Sequence, residues 1–354
     1  MWYGSLFRAS RERGEFRSLY PAERFRKALD RERARADRWE QPLALLSLRV
    51  AATPQGEITL RQVARILARR MRLTDEAGWL GRRQIGILMP NTPGWGAWTV
   101  ADEICRELPD SVSLPQCTVY CYPSDWFLGD RKRLGDLASA PAREGEVEAM
   151  EPLFFQRLPR WKRAIDILGA ATALLVHLPL MALVALAIKL TSRGPIFFTQ
   201  ARDGLGGRPF TIYKFRTMVL DAERQQASLR AQSQQDGPAF KLEKDPRVTR
   251  LGRILRATSL DELPQLWNVL RGDMSLVGPR PLPCAESRAC RGWYRRRLDV
   301  TPGLTCIWQV YGRSRVTFTQ WMRMDLRYIR SRAFWPDLKL ILMTIPTMIL
   351  RKGM

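Results

Sequence analysis

Asp261 and Glu262 stand side by side in SLDELPQLWNVLRGDMSLVGPRP (259–281), ahead of an apolar run and the proline-stiffened turn Gly278-Pro279-Arg280-Pro281. Ser259 and Glu262 have the capping-box spacing. Leu260, Leu263, Leu266, Trp267 and Leu270 keep a helical period, so the pattern predicts a helix that starts at the two acids. Capping accounts for Ser259 and Glu262, but not for Asp261 or for an arginine locked between two prolines. A positioned, ionised carboxylate forms phosphoryl-enzyme intermediates, and a helix start favours the ionised form by about 0.3–1 kcal/mol. Two adjacent acids among cations also invite Mg²⁺, with Asp261 and Glu262 as its ligands. Arg256 and Arg280 can fork onto phosphate oxygens in a way lysine cannot. The chemistry this points to is phosphoryl transfer through a carboxylate.

Several elements must position these groups. The alternation of FTIYKFR puts Phe210, Ile212, Lys214 and Arg216 on one strand face, turned toward a phosphorylated substrate or toward lipid head groups. Asp273 is a candidate support for the site. From Ile167 to Ile188 no side chain carries a formal charge, and about 20 such residues cross a bilayer. Pro179 lies near the middle of this run and predicts a kink. Basic residues flank it on both sides: Arg157, Arg160, Lys162 and Arg163 before, Lys189 and Arg193 after. The positive-inside rule keeps both ends on one side of the membrane. A kinked, re-entrant helix over about 164–190 satisfies both facts; the alternatives are a buried core helix and a plain span. His177 reads as a packing residue or local polar anchor.

The chain has 354 residues, a net charge of +23 and 45% hydrophobic residues. That content excludes a disordered chain, and the charge calls for an anionic neighbour. Nucleic acid is disfavoured: no helix-turn-helix or aromatic RNA platform is visible, and the apolar run would go unexplained. Six cysteines without a CxxC pair, and a single histidine, argue against zinc and disulfide frameworks and for a reducing compartment. The N-terminus carries charges too early for a signal peptide.

Three parts are expected: residues 20–128, a polar linker at 129–157, and a second domain at 158–354. The first alternates helices and strands. A basic helix precedes the strand PLALLSLRV, then follow the helix LRQVARILARRM, a hairpin from AGWL to QIGILMP, the helix WGAWTVADEICREL and the strand CTVYCYP. In this order it resembles a GGDEF (diguanylate cyclase-like) domain, which implies a ferredoxin-like α/β fold. The family's acidic turn is replaced by Gly81-Arg82-Arg83-Gln84-Ile85, and LSLRV lacks a metal-holding aspartate. The domain therefore reads as degenerate, kept for regulation, docking or a homodimer.

In the second domain, KRAIDILGA, GPIFFTQARDGLGGRPFTIYKFRTM, DPRVTRLGRILRATSLDELPQLWNVLRGDMSLVGPRP and TPGLTCIWQVYGR follow one another. This series resembles the bacterial sugar transferases, monotopic polyprenyl-phosphate hexose-1-phosphate transferases. The resemblance implies an α+β chain whose second domain is mostly helical with a re-entrant membrane helix. It also implies ping-pong chemistry: Asp261 attacks a UDP-sugar, UMP leaves, and undecaprenyl phosphate takes the sugar phosphate, with Glu262 handling metal or proton. Arg313 matches the family's anion-binding position, and Trp308 and Gln309 become candidates for uridine or sugar. The setting implied is the cytoplasmic face of a bacterial inner membrane with anionic lipids. The family's kink is usually Ser-Pro, whereas this chain has Leu178-Pro179. The helix FTQWMRMDLRYIRSRAFW, with Phe318, Trp321, Met322 and Tyr328 among arginines, is expected to lie at the interface. The rival reading is a membrane-anchored nucleotide sensor without catalysis.

Overall fold

PLALLSLRV is apolar without alternation, the mark of a strand covered on both faces, and it becomes the middle of the first sheet. The computed structural model describes residues 19–124, 146–242, 244–290, 292–311 and 316–349. The chain divides into two units, Met1–Leu153 and Phe154–Met354. In the first, α1 (Ala22–Trp39), β1 (Leu43–Arg49), α2 (Pro54–Arg70), the hairpin β2 (Glu76–Gly81) and β3 (Gln84–Pro90), α3 (Gly94–Glu107) and β4 (Gln116–Tyr122) follow the expected order. The sheet order is β2-β3-β1-β4-β5, and β1 pairs antiparallel with β3 and β4. Leu46, Leu48, Ile85, Ile87 and Val119 share a core with Leu60 and Val63 of α2 and Ala97 and Ile104 of α3.

The fifth strand, β5 (Val147–Ala149), pairs parallel with β4. It falls inside the stretch expected to be linker. Residues 129–145 of that stretch lie outside the described residues, but 147–149 cover an edge that β4 would otherwise present. Short strands with no apolar alternation leave little trace in a sequence.

The second unit opens with α4 (Arg160–Thr191), which carries the apolar run and continues through Pro179. Proline removes one backbone hydrogen bond there, and the helix goes on past it. His177 Nδ1 donates to the Ala173 carbonyl (2.8 Å), a local anchor. Leu175, Val176, Leu178, Leu183, Leu186 and Leu190 are exposed. Next comes the hairpin of β6 (Phe197–Asp203) and β7 (Pro209–Phe215), then α5 (Ala222–Leu229), α6 (Arg250–Ala257) and α7 (Gln265–Arg271). β8 (Ser275–Val277) pairs parallel with β9 (Gly303–Thr305), with α8 (Cys284–Ala289) between them. α9 (Ile307–Tyr311), α10 (Phe318–Ser331) and α11 (Phe334–Ile349) complete the unit.

Both ends of α4 are fastened to this unit. At the start Lys162 pairs with Asp337 of α11 (2.5 Å), Arg163 donates to the Val269 and Leu270 carbonyls (2.6 and 2.5 Å), and Asp166 accepts from Ser275 Oγ and the Leu276 amide (3.0 and 2.9 Å). At the far end Val184 and Ile188 pack with Phe215 and Leu255.

The expected interfacial helix is a core helix instead. Phe318, Trp321, Met322 and Tyr328 of α10 are all buried, and the first three join Ala239, Leu282 and Cys290 in one cluster. An apolar stripe of this kind serves protein packing as well as lipid. Asp325, on the same buried face, needs the cation that only the protein supplies here.

Candidate active site

The two acids do not begin a helix. Leu260–Glu262 is a separate 3₁₀ turn, and α7 starts only at Gln265 behind Pro264. Ser259 makes no side-chain cap; its backbone is left-handed, at φ 56°. The capping box fails because Glu262 has stronger partners elsewhere. Lys214 of β7 donates to it (2.7 Å), and Arg280 forks onto it, Nη1 to Oε2 at 3.2 Å and Nη2 to Oε1.

The neighbouring Asp261 is treated differently. It is only 7% exposed, yet among the described residues no cation forms an ion pair with it. Burial pushes its carboxyl up to about 6, with Lys214 opposing and Glu262 adding to the rise. Burial works against the Glu262 carboxylate too, but there Arg280 and Lys214 outweigh it and hold the group below the usual carboxylate range. Burial lowers Lys214. Arg280 rises despite burial, because Glu262 faces it. The pair is thus divided into a buried, weakly acidic Asp261 and an anchored anion, Glu262. Both Lys214 and Arg280 keep part of their side chains open to solvent.

Three pieces of chain fix this geometry. Asn268 of α7 is fully buried and imitates a strand partner for β7: its Nδ2 donates to the Thr211 carbonyl (2.7 Å) and its Oδ1 accepts from the Tyr213 amide (3.1 Å). That sets Lys214 against the acidic turn. The turn bearing Arg280 rests on the TPGLT segment. Gly278 donates to the Thr305 carbonyl (3.0 Å), and Gly303 to that of Pro279 (2.9 Å). A Cβ on Gly303 would lie 2.0 Å from the Gly278 nitrogen, so the two motifs meet where only glycine fits. Third, Arg297 donates to the Arg280 carbonyl and is itself held by the buried Asp325 (3.0 Å).

Of the residues singled out in the sequence, Asp261, Glu262, Lys214 and Arg280 meet here. Arg256 is close enough for Asp261 to be its strongest charged influence, although burial lowers it overall; its Nε donates to Thr217 (3.0 Å). Gln309 joins them, its amide oriented with the oxygen 2.5 Å from Arg280 Nη1 and the nitrogen 3.3 Å from the Leu304 carbonyl. Arg216 is not brought to the acids. It donates to Ser192, to the carbonyl (3.0 Å) and to Oγ (2.7 Å), at the end of α4. One residue beyond β7, it ties the strand end to the end of α4. Trp308 packs on Trp321 at 4.6 Å, and Asp273 pairs with Arg271 (3.2 Å). Arg313 lies outside the described residues. Asn268, Arg297 and Asp325 were not legible as site residues. Only Asp325 left a signal, as an acid on the apolar stripe of α10.

The donor set does not suit a resident magnesium ion. Lys214 and Arg280 engage both Glu262 oxygens, which leaves Asp261 alone. Among the described residues no group of three or more His, Cys, Asp or Glu side chains could hold a metal.

A model of the family described as bacterial sugar transferase matches residues 157–351, more than half of the chain. The chain is 46% identical over 198 residues to a UDP-glucose:undecaprenyl-phosphate glucose-1-phosphate transferase of Caulobacter vibrioides, covering 53% of this chain and 69% of that protein. To galactosyl transferase CpsE of Streptococcus agalactiae it is 43% identical over 196 residues, covering 54% and 43%. The chain therefore spans less than half the length of the Streptococcus relative. Exopolysaccharide production protein ExoY of Rhizobium meliloti is 37% identical over 196 residues, covering 54% of this chain and 87% of that one. Among solved structures, a DGC protein from Thermotoga maritima covers 36% of this chain and 99% of its own at 19% identity, with a TM-score of 0.27; a score this low carries no argument. The acidic turn, the arginine turn and the glycine contact that joins them all fall inside the matched residues, and the chain belongs to the bacterial sugar transferase family.

Proposed function

We propose that the chain moves a hexose-1-phosphate from a UDP-sugar to undecaprenyl phosphate through an aspartyl intermediate. The observation that carries this is the contrast within the acid pair: Glu262 is engaged by Lys214 and Arg280, while Asp261 has no ion pair among the described residues. A nucleophile needs a free lone pair, and the cations beside it suit the phosphate it attacks. An Asp261 oxygen bonds to the phosphorus next to the sugar, the bond from that phosphorus to the bridging oxygen breaks, and UMP leaves with the electron pair. An oxygen of undecaprenyl phosphate then attacks the same phosphorus, the aspartyl bond breaks, and Asp261 returns as carboxylate. Arg280 and Arg256 take the charge of the diphosphate. Magnesium enters this proposal only as a counterion brought in by that diphosphate.

The reading extends to α4, proposed as a re-entrant membrane helix. Both its ends are tied to one unit, through Lys162, Arg163 and Asp166 at the start and Ser192 at the end, while its middle exposes leucines. On this reading the catalytic unit lies on the cytoplasmic face, against anionic lipids, and the basic residues flanking α4 on both sides support it.

The test is UMP release by the purified, detergent-solubilised chain with a panel of UDP-sugars and undecaprenyl phosphate, wild type against Asp261→Asn. Release with one donor, lost in the variant, supports the reading and names the sugar. Equal release by both proteins removes Asp261 as nucleophile. No release with any donor favours a nucleotide sensor.

A further inference from the structure

Arg202 lies on β6, paired across the hairpin with Phe210 and bridged to Pro283. Its Nη1 donates to the Pro281 carbonyl (2.8 Å), in the turn that carries Arg280. Its Nε is buried and has no acceptor. No acid forms an ion pair with Arg202 among the described residues. The acids in its field are Glu262 and Glu286. Glu262 is already engaged by Lys214 and Arg280, and Glu286 accepts from the Phe240 amide (3.2 Å).

The strongest charged influence on Arg202 is a like one. Burial, and after it the repulsion of Arg280, press the Arg202 guanidinium down to about 10. Two guanidinium groups that repel each other, one with an unpartnered buried donor, are costly to hold side by side in the fold. An anion bound between them relieves it. The cations Lys214, Arg202, Arg256 and Arg280 outnumber the acids Asp261, Glu262 and Glu286 around this turn, an excess that suits an anionic diphosphate.

We infer that Arg202 is a further substrate-binding residue, a third guanidinium that contacts the donor's diphosphate from the strand side while Arg280 contacts it from the turn. This rests on the donor reading proposed above. The Pro281 contact gives Arg202 a second task, holding the Arg280 turn, and lysine can perform that with one donor. The forked approach to a phosphate is what lysine cannot reproduce.

The experiment compares wild type, Arg202→Lys and Arg202→Gln, each as the full detergent-solubilised chain. Initial rates of UMP release are measured against donor concentration and, separately, against undecaprenyl phosphate. Thermal shifts with UDP and with inorganic pyrophosphate are read on the same samples. The expected result is a donor KM raised about 10- to 100-fold in Arg202→Gln, the loss of one charged hydrogen bond, and partly raised in Arg202→Lys. The KM for undecaprenyl phosphate should be unchanged, and the UDP and pyrophosphate shifts diminished. A wild-type donor KM and UDP shift in Arg202→Lys overturn the inference, even if Arg202→Gln fails to fold. So does a rise confined to the KM for undecaprenyl phosphate, which would assign Arg202 to the acceptor's phosphate. If wild type releases no UMP but pyrophosphate stabilises it and not the variants, the anion site stands and the donor reading falls.

Discussion

Arg280 closes on both carboxylate oxygens of Glu262 and leaves Asp261, one residue earlier, without an ion pair among the described residues. Two acids that look equivalent along the chain thus hold opposite positions in the site. Asp261→Asn should lower the rate of UMP release by a factor on the order of 10³ or more with the donor KM little changed. Glu262→Gln should instead leave Lys214 and Arg280 misplaced, raise the donor KM, and lower stability by roughly 3 kcal/mol. Steady-state kinetics and urea unfolding of both variants check this; equal losses of rate in the two would contradict the division.

Asp261 also predicts opposite pH trends for stability and activity. Its carboxyl is pushed up to about 6 in the folded protein, whereas an unfolded aspartate titrates near ~3.9. The folded state therefore holds this proton more tightly. Its contribution to stability is largest below about pH 4 and shrinks as pH rises to about 6. Asp261→Asn removes that slope and should be the more stable protein at pH 7, by on the order of 1 kcal/mol. The rate should climb through pH 6 as the carboxylate forms. Urea midpoints and single-turnover rates at pH 5, 6 and 7.5 read both; a rate flat across that range would mean an ordinary carboxyl.

Arg297 and Asp325 form a buried pair whose guanidinium also grips the Arg280 carbonyl. Asp325→Asn should leave Arg297 inadequately paired and cost about 3 kcal/mol or more. Arg297→Lys keeps the charge but loses the fork. It should lower kcat more than stability, because Arg280 is then held less firmly. Denaturant midpoints beside kcat separate the two effects.

Ser259 adopts a left-handed backbone immediately before the acidic turn. Glycine bears that conformation without strain, and a β-branched residue bears it poorly. Ser259→Gly should fold and stay active, while Ser259→Val should lose roughly 1–2 kcal/mol and much of the activity. A valine variant as active as wild type would show that the turn tolerates rearrangement.

With both Glu262 oxygens engaged, the protein should take up Mn²⁺ weakly by itself and far better with UDP present. Titration of Mn²⁺ followed by electron paramagnetic resonance, with and without UDP, measures the difference. Tight uptake without nucleotide would place a metal site on the chain itself.

Local pattern alone was enough for the first unit from α1 to β4, because the apolar run of β1, the β2–β3 hairpin and the stripes of α2 and α3 are all readable from adjacent residues, whereas the three residues of β5 carry no such pattern. The motifs around Asp261, Glu262, Arg280 and Lys214 were legible for a similar reason, since acids and proline-braced arginines are unusual residues at close spacing. What each does was decided only by distant contacts. Glu262 fits a capping box until Lys214 and Arg280, far from it in the chain, outcompete the backbone for its oxygens. Arg216 alternates in register with Lys214, yet the chain leaves the strand there and sends it to Ser192. Phe318, Trp321 and Met322 form the same apolar stripe whether lipid or protein covers them, and only the packed cluster chose protein. Which of many arginines reaches the Pro281 carbonyl depends on the meeting of β6 with that turn, a juxtaposition that no local spacing records.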